Sequence, residues 1–405
     1  DDFTPNAITE NGFNIGDVNQ NRLLDTDEIW MYSETRLASE GQYTNTGRVV
    51  ANFPELGSEA SDSDPTNHFG FVLEVGLEKL TNGEDADFAP GPFVPVGATV
   101  SFTYEVSNDG NVSVQPVSLI DDNGTPDDES DDFRPNAVLD GSGFNVGDVN
   151  RNSLLDLDEV WQYAANRVAT DGQYRNTATV IAEEPNTVDS TSATDVSHHF
   201  GATATVTIEK RTNGEDADVP TGPLLPAGSI ATFDYLVGND GNVPIEITSI
   251  VDDNGTPGDG SDDFSPVPVE GVTGFNVGDL NRNGLVDLDE TWSYRASRTV
   301  TANQYTNVAT VTSVHPASEA TGIASDSSNH FGTLVIISLE KSTNGDDADE
   351  APGPSIPVDG TANFEYLVEN MGNVSVEFSS LVDDNGTPDD PTDDFEPAEV
   401  VDGDF

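Results

Sequence analysis

Residues Asp148–Glu159 read D-V-N-R-N-S-L-L-D-L-D-E, and the stretch after them, V-W-Q-Y-A-A-N-R-V, alternates rather than turning with a helical period. Oxygen-bearing side chains fall at loop positions 1, 3, 5, 9 and 12, as Asp148, Asn150, Asn152, Asp156 and Glu159, and Leu154 offers its backbone carbonyl at position 7. That is the ligand spacing of an EF-hand-type calcium loop, whose last acid binds through both oxygens. An EF-hand would continue as a helix. Here Glu159–Val168 places Trp161 and Tyr163 on one face of a strand, so the loop chemistry is set in a β frame.

The loop occurs three times. Asp17–Glu28 supplies Asp17, Asn19, Asn21, Leu23, Asp25 and Glu28, and Asp279–Glu290 supplies Asp279, Asn281, Asn283, Leu285, Asp287 and Glu290. Position 6, usually Gly for a sharp turn, is Arg22, Ser153 and Gly284. Trp30, Trp161 and Trp292 follow the loops at intervals of 131 residues, and D-D-F, His-Phe-Gly (His68, His199, His330) and Thr-Asn-Gly recur in step. A fixed period of this kind marks a repeat architecture. The division expected is the end of one repeat at 1–70, complete repeats at 71–201 and 202–332, and the start of another at 333–405. The chain opens on D-D-F and closes thirteen residues after the same triplet, with Phe405 aligned to Phe13; this suggests a window on a longer repetitive polymer.

Within 71–201, alternating runs at Phe71–Lys79, Ala98–Ser107, Val112–Ile120, Glu159–Val168 and Tyr174–Ala182 are separated by Gly, Asn, Asp and Pro clusters. Such a pattern predicts strands and turns. The fold class expected is all-β: tandem Ig-like antiparallel β-sandwich repeats of at least seven strands. No spacer rich in Gly, Ser or Pro divides the units, so an elongated, semi-rigid rod is expected.

Charge narrows the function. Asp and Glu total 75 against 14 Lys and Arg, a net charge of −61. Self-repulsion on this scale opposes compaction unless cations neutralise it. Nucleic acid and anionic membrane surfaces are excluded as partners, since both require a basic footprint, and no apolar run is long enough for membrane insertion as a helix. The absence of cysteine excludes disulfides and thiolate metal sites. More than half of the acids in 71–201 are gathered into three turns, a placement that differs from the scattered acids of a general halophilic surface.

Two further turns are candidate cation sites by the same hard-oxygen logic. D-D-N-G-T-P contributes Asp121, Asp122 and Asn123, then Asp252, Asp253 and Asn254, then Asp383, Asp384 and Asn385. The run N-G-E-D-A-D (N-G-D-D-A-D in its last copy) contributes Asp85 and Asp87, Asp216 and Asp218, and Asp347 and Asp349. The competing reading of both is a solvated Asn-Gly turn. His68, His199 and His330 lie one repeat apart and are expected to pack beside Phe at the repeat junction, and the tryptophans to anchor the core. Neither a Ser/His/Asp arrangement nor H-E-x-x-H nor a phosphate-cradling glycine loop is present, so the chain does not read as an enzyme.

The loop D-x-N-x-N-x-L-x-D-x-D-E resembles that of B-type repeats in Gram-positive serine–aspartate-repeat adhesins. The run Glu78–Gly97 is similar to repeats of very large secreted proteins of environmental bacteria. Both belong to the calcium-binding Ig-like repeats of bacterial surface proteins. The resemblance implies a β-sandwich, calcium-dependent rigidity and an extracellular or cell-surface bacterial location. The function expected is a calcium-rigidified shaft of a filament or giant adhesin, its partners being copies of itself or neighbouring repeats head to tail. Sequons at Asn111, Asn123, Asn254, Asn373 and Asn385 add surface glycans as possible attachments. A module that binds carbohydrate or ice is the alternative.

Overall fold

The computed structural model describes residues 2–400, and among them every regular element is a β-strand. Asp1, the first residue of the opening D-D-F triplet, and the end at Phe405, both used in aligning the repeats, fall outside the described residues. No helix among the described residues is long and apolar enough to cross a membrane.

The longer strands, in chain order, are β1 (Gly41–Phe53), β2 (Ser58–Gly70), β3 (Val75–Thr81), β4 (Thr99–Asn108), β5 (Gln115–Asp121), β6 (Val160–Val168), β7 (Gly172–Glu183) and β8 (Ser190–Ala202). They continue as β9 (Val206–Thr212), β10 (Ile230–Asn239), β11 (Glu246–Asp252), β12 (Thr291–Thr299), β13 (Asn303–Val314), β14 (Thr321–Thr333), β15 (Ile337–Thr343) and β16 (Phe364–Asn370).

Two compact units are present. One comprises Asp1–Pro92, Thr99–Val168 and Gln173–Phe200, and the other Phe93–Ala98, Ala169–Gly172 and Gly201–Phe405. In the first, β6, β4 and β3 lie side by side in one sheet, and β5, β7 and β8 in another. β4 is the spine. It pairs antiparallel with β6 from Thr99↔Val168 to Ser107↔Val160, and with β3 from Phe102↔Thr81 to Asn108↔Val75. Its alternation is why: Val100, Phe102, Tyr104 and Val106 are at most 1 % exposed, while their neighbours face outward. Across the core, β7 buries Tyr174, Asn176, Ala178, Val180 and Ala182 with the same period. Burying one large apolar side chain in this way contributes roughly 1.5–3 kcal/mol, so two facing stripes suffice to define the sandwich.

The second unit uses the same order, with β12, β10 and β9 in one sheet and β14, β13 and β11 in the other. β13 and β14 form a twelve-pair hairpin from Asn303↔Gly332 to Val314↔Thr321. A short strand, Leu224–Pro226, runs parallel to Phe331–Thr333 at its edge.

The glycine of His-Phe-Gly has a steric reason the sequence did not reveal. A Cβ on Gly201 would sit 1.7 Å from the Thr170 carbonyl oxygen, and one on Gly332 1.8 Å from that of Thr301. The Gly201 carbonyl accepts a 2.8 Å bond from the Asn242 amide, whose oxygen in turn accepts from the Thr203 N–H. The histidines differ from expectation. His199 is fully buried and stacks on Tyr174 (centroids 4.6 Å apart), with Phe102 at 6.2 Å; strand alternation turns the imidazole to the core and its Phe neighbour away.

Candidate metal centre

The Asp148–Glu159 loop is wound by its own carboxylates. Asp148, 5 % exposed, accepts the N–H groups of Asn152 and Ser153 at 3.1 and 3.0 Å. Glu159, 4 % exposed, accepts from Val149 and Asp156 at 2.8 and 3.2 Å. The first and last acids therefore hold the ring closed. Asn150 and Asn152 both donate their amides to Asp156 Oδ2, at 2.6 and 3.0 Å, so the side chains at positions 3, 5 and 9 converge. The loops at Asp17 and Asp279 repeat these contacts, with Asn19 and Asn21 on Asp25, and Asn281 and Asn283 on Asp287.

The backbone explains the tolerance at position 6. Arg22, Ser153 and Gly284 have φ of 68°, 63° and 79°. All three copies adopt the left-handed turn that Gly usually supplies; in two of them a residue with a Cβ bears its cost, of order 1 kcal/mol or more.

A β frame replaces the flanking helices. Asn145 accepts the N–H groups of Gly147 and Gln162 and donates to the Gln162 carbonyl, tying the loop entrance to its exit strand. Gly147 permits this approach, since a Cβ there would meet the Val160 carbonyl oxygen at 1.9 Å. Position 8, Leu155, is fully buried and exchanges both backbone bonds with Val114. These residues were missed, although F-N-x-G before each loop (Asn14, Asn145, Asn276) was a readable signal. Trp161 is only half-buried; its indole N–H donates to Glu159 Oε2 at 3.2 Å, so it holds the loop's last acid rather than filling the core. The hydroxyl of Ser113, another residue not foreseen, bonds Asp156 and is the first cause holding its carboxyl below the usual range, against a smaller opposing effect of burial.

Among the described residues, no group of three or more His, Asp or Glu side chains alone could hold a metal. In these loops two amides and the carbonyl of Leu23, Leu154 or Leu285 would have to complete the set. An all-oxygen donor set that includes three carboxylates fits a hard divalent cation, calcium above magnesium because the ligands are many and flexible.

The other two turns divide. Asp121 does not face solvent with its neighbours: it is fully buried and its Oδ2 lies 2.8 Å from the Lys79 ammonium. Asp252 stands in the same relation to Lys210 at 2.8 Å, and Asp383 to Lys341 at 2.5 Å. Asp122 Oδ1 accepts the N–H groups of Gly124 and Thr177, and Asn123 donates to Asp131; Asp253 and Asn254 do likewise with Gly255, Val308 and Asp262. Asp384 accepts from Gly386, and Asn385 donates to Asp393.

In the N-G-E-D-A-D turn, Asn82 and Gly83 have φ of 52° and 82°, the form of a two-residue hairpin turn that sets Asp85 opposite Leu80. The Asp87 carboxyl is pushed up, first by burial and then by the charges of Asp195 and Asp85, and Asp218 is raised by burial, then by Asp326 and Asp216. Asp347 lies opposite Ser342, and Asp349 is exposed nearby.

No family model matches the chain, and no curated protein matches it. Among solved structures, the C-terminal domain of the Streptococcus pyogenes antigen I/II-family protein AspA is similar over 63 % of this chain and 99 % of that one, with 10 % identity and a TM-score of 0.27. A protein of unknown function from Porphyromonas gingivalis W83 is similar over 61 % of this chain and 99 % of its own, with 11 % identity and a TM-score of 0.20. At these scores neither likeness bears on fold or function.

Proposed function

We propose that this chain is a structural segment of an extracellular bacterial surface protein or filament, in which calcium braces each β-sandwich at the loops beginning at Asp17, Asp148 and Asp279. One observation carries the reading: in all three copies, side chains at positions 3, 5 and 9 converge between two acids that already bind the loop backbone. Asp148, Asn150, Asn152, Asp156, Glu159 and the Leu154 carbonyl would hold the ion in the central copy. Bound calcium would supply positive charge where three carboxylates meet, and would offset part of the net charge of −61. Strands on both sides of the loop suit a brace better than a sensor, because no helix pair is present among the described residues to open. Copies of the chain or neighbouring repeats, joined head to tail, are the partners this role requires.

Thermal unfolding with calcium and with a chelator tests the reading. A ligand that binds only the folded state at 100 times its Kd adds about 2.7 kcal/mol, so the melting temperature should climb with calcium and fall on chelation. An unchanged melt rejects the brace.

A further inference from the structure

The chain has three lysines, Lys79, Lys210 and Lys341, one repeat apart. In a protein with 75 acidic residues, a lysine would be expected at the surface among them. Instead Lys79 and Lys210 are fully buried. The Lys79 amine lies 5.0 Å from the ring centre of Phe102 and 5.7 Å from that of Tyr104, and Lys210 has Phe233 and Tyr235 at 5.1 and 5.7 Å. Each amine has the carboxylate described above at 2.8 Å.

A third group completes the arrangement. Asn176, fully buried on β7, donates its amide to Asp121 Oδ1 at 2.6 Å, so one carboxylate holds the Lys79 amine on one oxygen and the Asn176 amide on the other. The Asn176 carbonyl oxygen is buried without a hydrogen-bond partner among the described residues. Asn307 repeats this: its amide donates to Asp252 at 2.6 Å and its Oδ1 is likewise unpartnered. There Lys210 Nζ also donates to the Asn307 backbone carbonyl at 3.2 Å, which puts the amine against that residue. Tyr104 and Tyr235 donate their hydroxyls to the two carboxylates. An ion pair alone would account for Lys79 and Asp121, but not for a carboxamide on the same carboxylate with its carbonyl left bare.

We propose that Lys79 and Asn176, and likewise Lys210 and Asn307, join through their side chains in an amide bond, with Asp121 and Asp252 carrying the protons. The lysine begins as an ammonium. One proton passes to Asp121 Oδ2, and the freed amine attacks the Asn176 side-chain carbon. Its second proton travels through the carboxyl to the Asn176 nitrogen, the old C–N bond breaks and ammonia leaves. Nζ keeps its last hydrogen as the amide N–H, and Asp121 is left protonated, so a buried charge pair becomes two neutral groups. No oxidant or reductant takes part. Burial favours the reactive amine by lowering the Lys79 pKa, although the Asp121 charge works against it. Fixed reactants and a proton carrier within hydrogen-bond distance supply the remaining catalysis. The bond would tie β3 to β7, and β9 to β13, across the two sheets of each sandwich. Lys341 and Asp383 repeat the first two parts, but the matching Asn position lies beyond residue 405.

Intact mass of the full chain, followed by peptide mapping after denaturation, decides the matter. The expected result is a mass lower by two ammonia molecules and two branched peptides, Lys79 joined to Asn176 and Lys210 to Asn307. Asn176→Ala should restore one ammonia and remove only the first. Free Lys79 and Lys210 peptides would overturn the proposal. Loss of water with Lys79 joined to Asp121 would overturn the choice of Asn176. The wild-type mass answers even where a variant fails to fold, and it is independent of the calcium melt.

Discussion

The Asp148–Glu159 loop and the Asp121 cluster each hold carboxylates in the same sandwich, by opposite means. In the loop, the acids are spread along twelve consecutive residues and bonded to backbone N–H groups, amides and an indole. At Asp121 a single carboxylate is sealed in the core, and its charge is met by Lys79. Water and ions reach the first arrangement and not the second. On the proposed reading the loop would depend on what the medium supplies, whereas the core cluster has a counter-charge beside it in Lys79.

The largest effect should come from removing Lys79. Lys79→Ala leaves Asp121 buried without its partner and also forecloses the bond to Asn176; the lost partner alone costs about 3–5 kcal/mol, measured as a drop in the urea midpoint whether or not calcium is present. A loss that calcium repairs would break the distinction between the two regions.

Acid should reach the core through its histidines. Burial, then the charges of Arg167 and Lys79, lower the His199 pKa to about 4, and burial with Arg298 and Lys210 does the same for His330. Both are neutral in the folded protein, while the unfolded chain takes up their protons below its ordinary pKa of about 6.5. Stability is complete above that value and is lost as pH falls from about 6.5 to about 4, on the order of 2–3 kcal/mol for each histidine. Unfolding free energies over this range check the slope, and His199→Phe should remove the share of it that His199 contributes.

The loop should respond on a smaller scale and only to the medium. In the variant Asp148→Ala, Asp156→Ala and Glu159→Ala, one site's share of the calcium-dependent increment should vanish, about 2.7 kcal/mol at 100-fold saturation. Calorimetric titration should count one ion fewer. The smallest change expected is a gain: Ser153→Gly relieves a residue at φ 63° and should add about 1 kcal/mol. Loss of stability there would mean that the Ser153 side chain does more than occupy the turn.

The two regions also differ in how far sequence reveals them. The loop's candidate ligands lie in one contiguous stretch, so spacing alone could propose them, and period-two alternation from Ala98 to Ser107 was enough to predict β4 as a strand. The Asp121 cluster draws on β3, β5 and β7, whose association is a property of the fold, and the Asp-Asp pair looked like one solvated turn. Parity held a clue: Leu119 and Asp121 share the inward face of β5, while Asp122 begins the turn. Trp161 was assigned to the core because aromatic residues on strands are usually buried, but its indole N–H has a partner in Glu159 at the rim. His199 escaped the same parity reading because the His-Phe-Gly repeat drew attention to the junction.

The burial of Lys79 and Lys210 has a practical consequence. Aldehyde fixatives and amine-directed labels act on accessible lysine, and between residues 1 and 340 the folded chain offers none. A fibre or coat built from these sandwiches would be nearly silent to lysine-directed chemistry, and attempts to image or immobilise it should aim at its carboxylates.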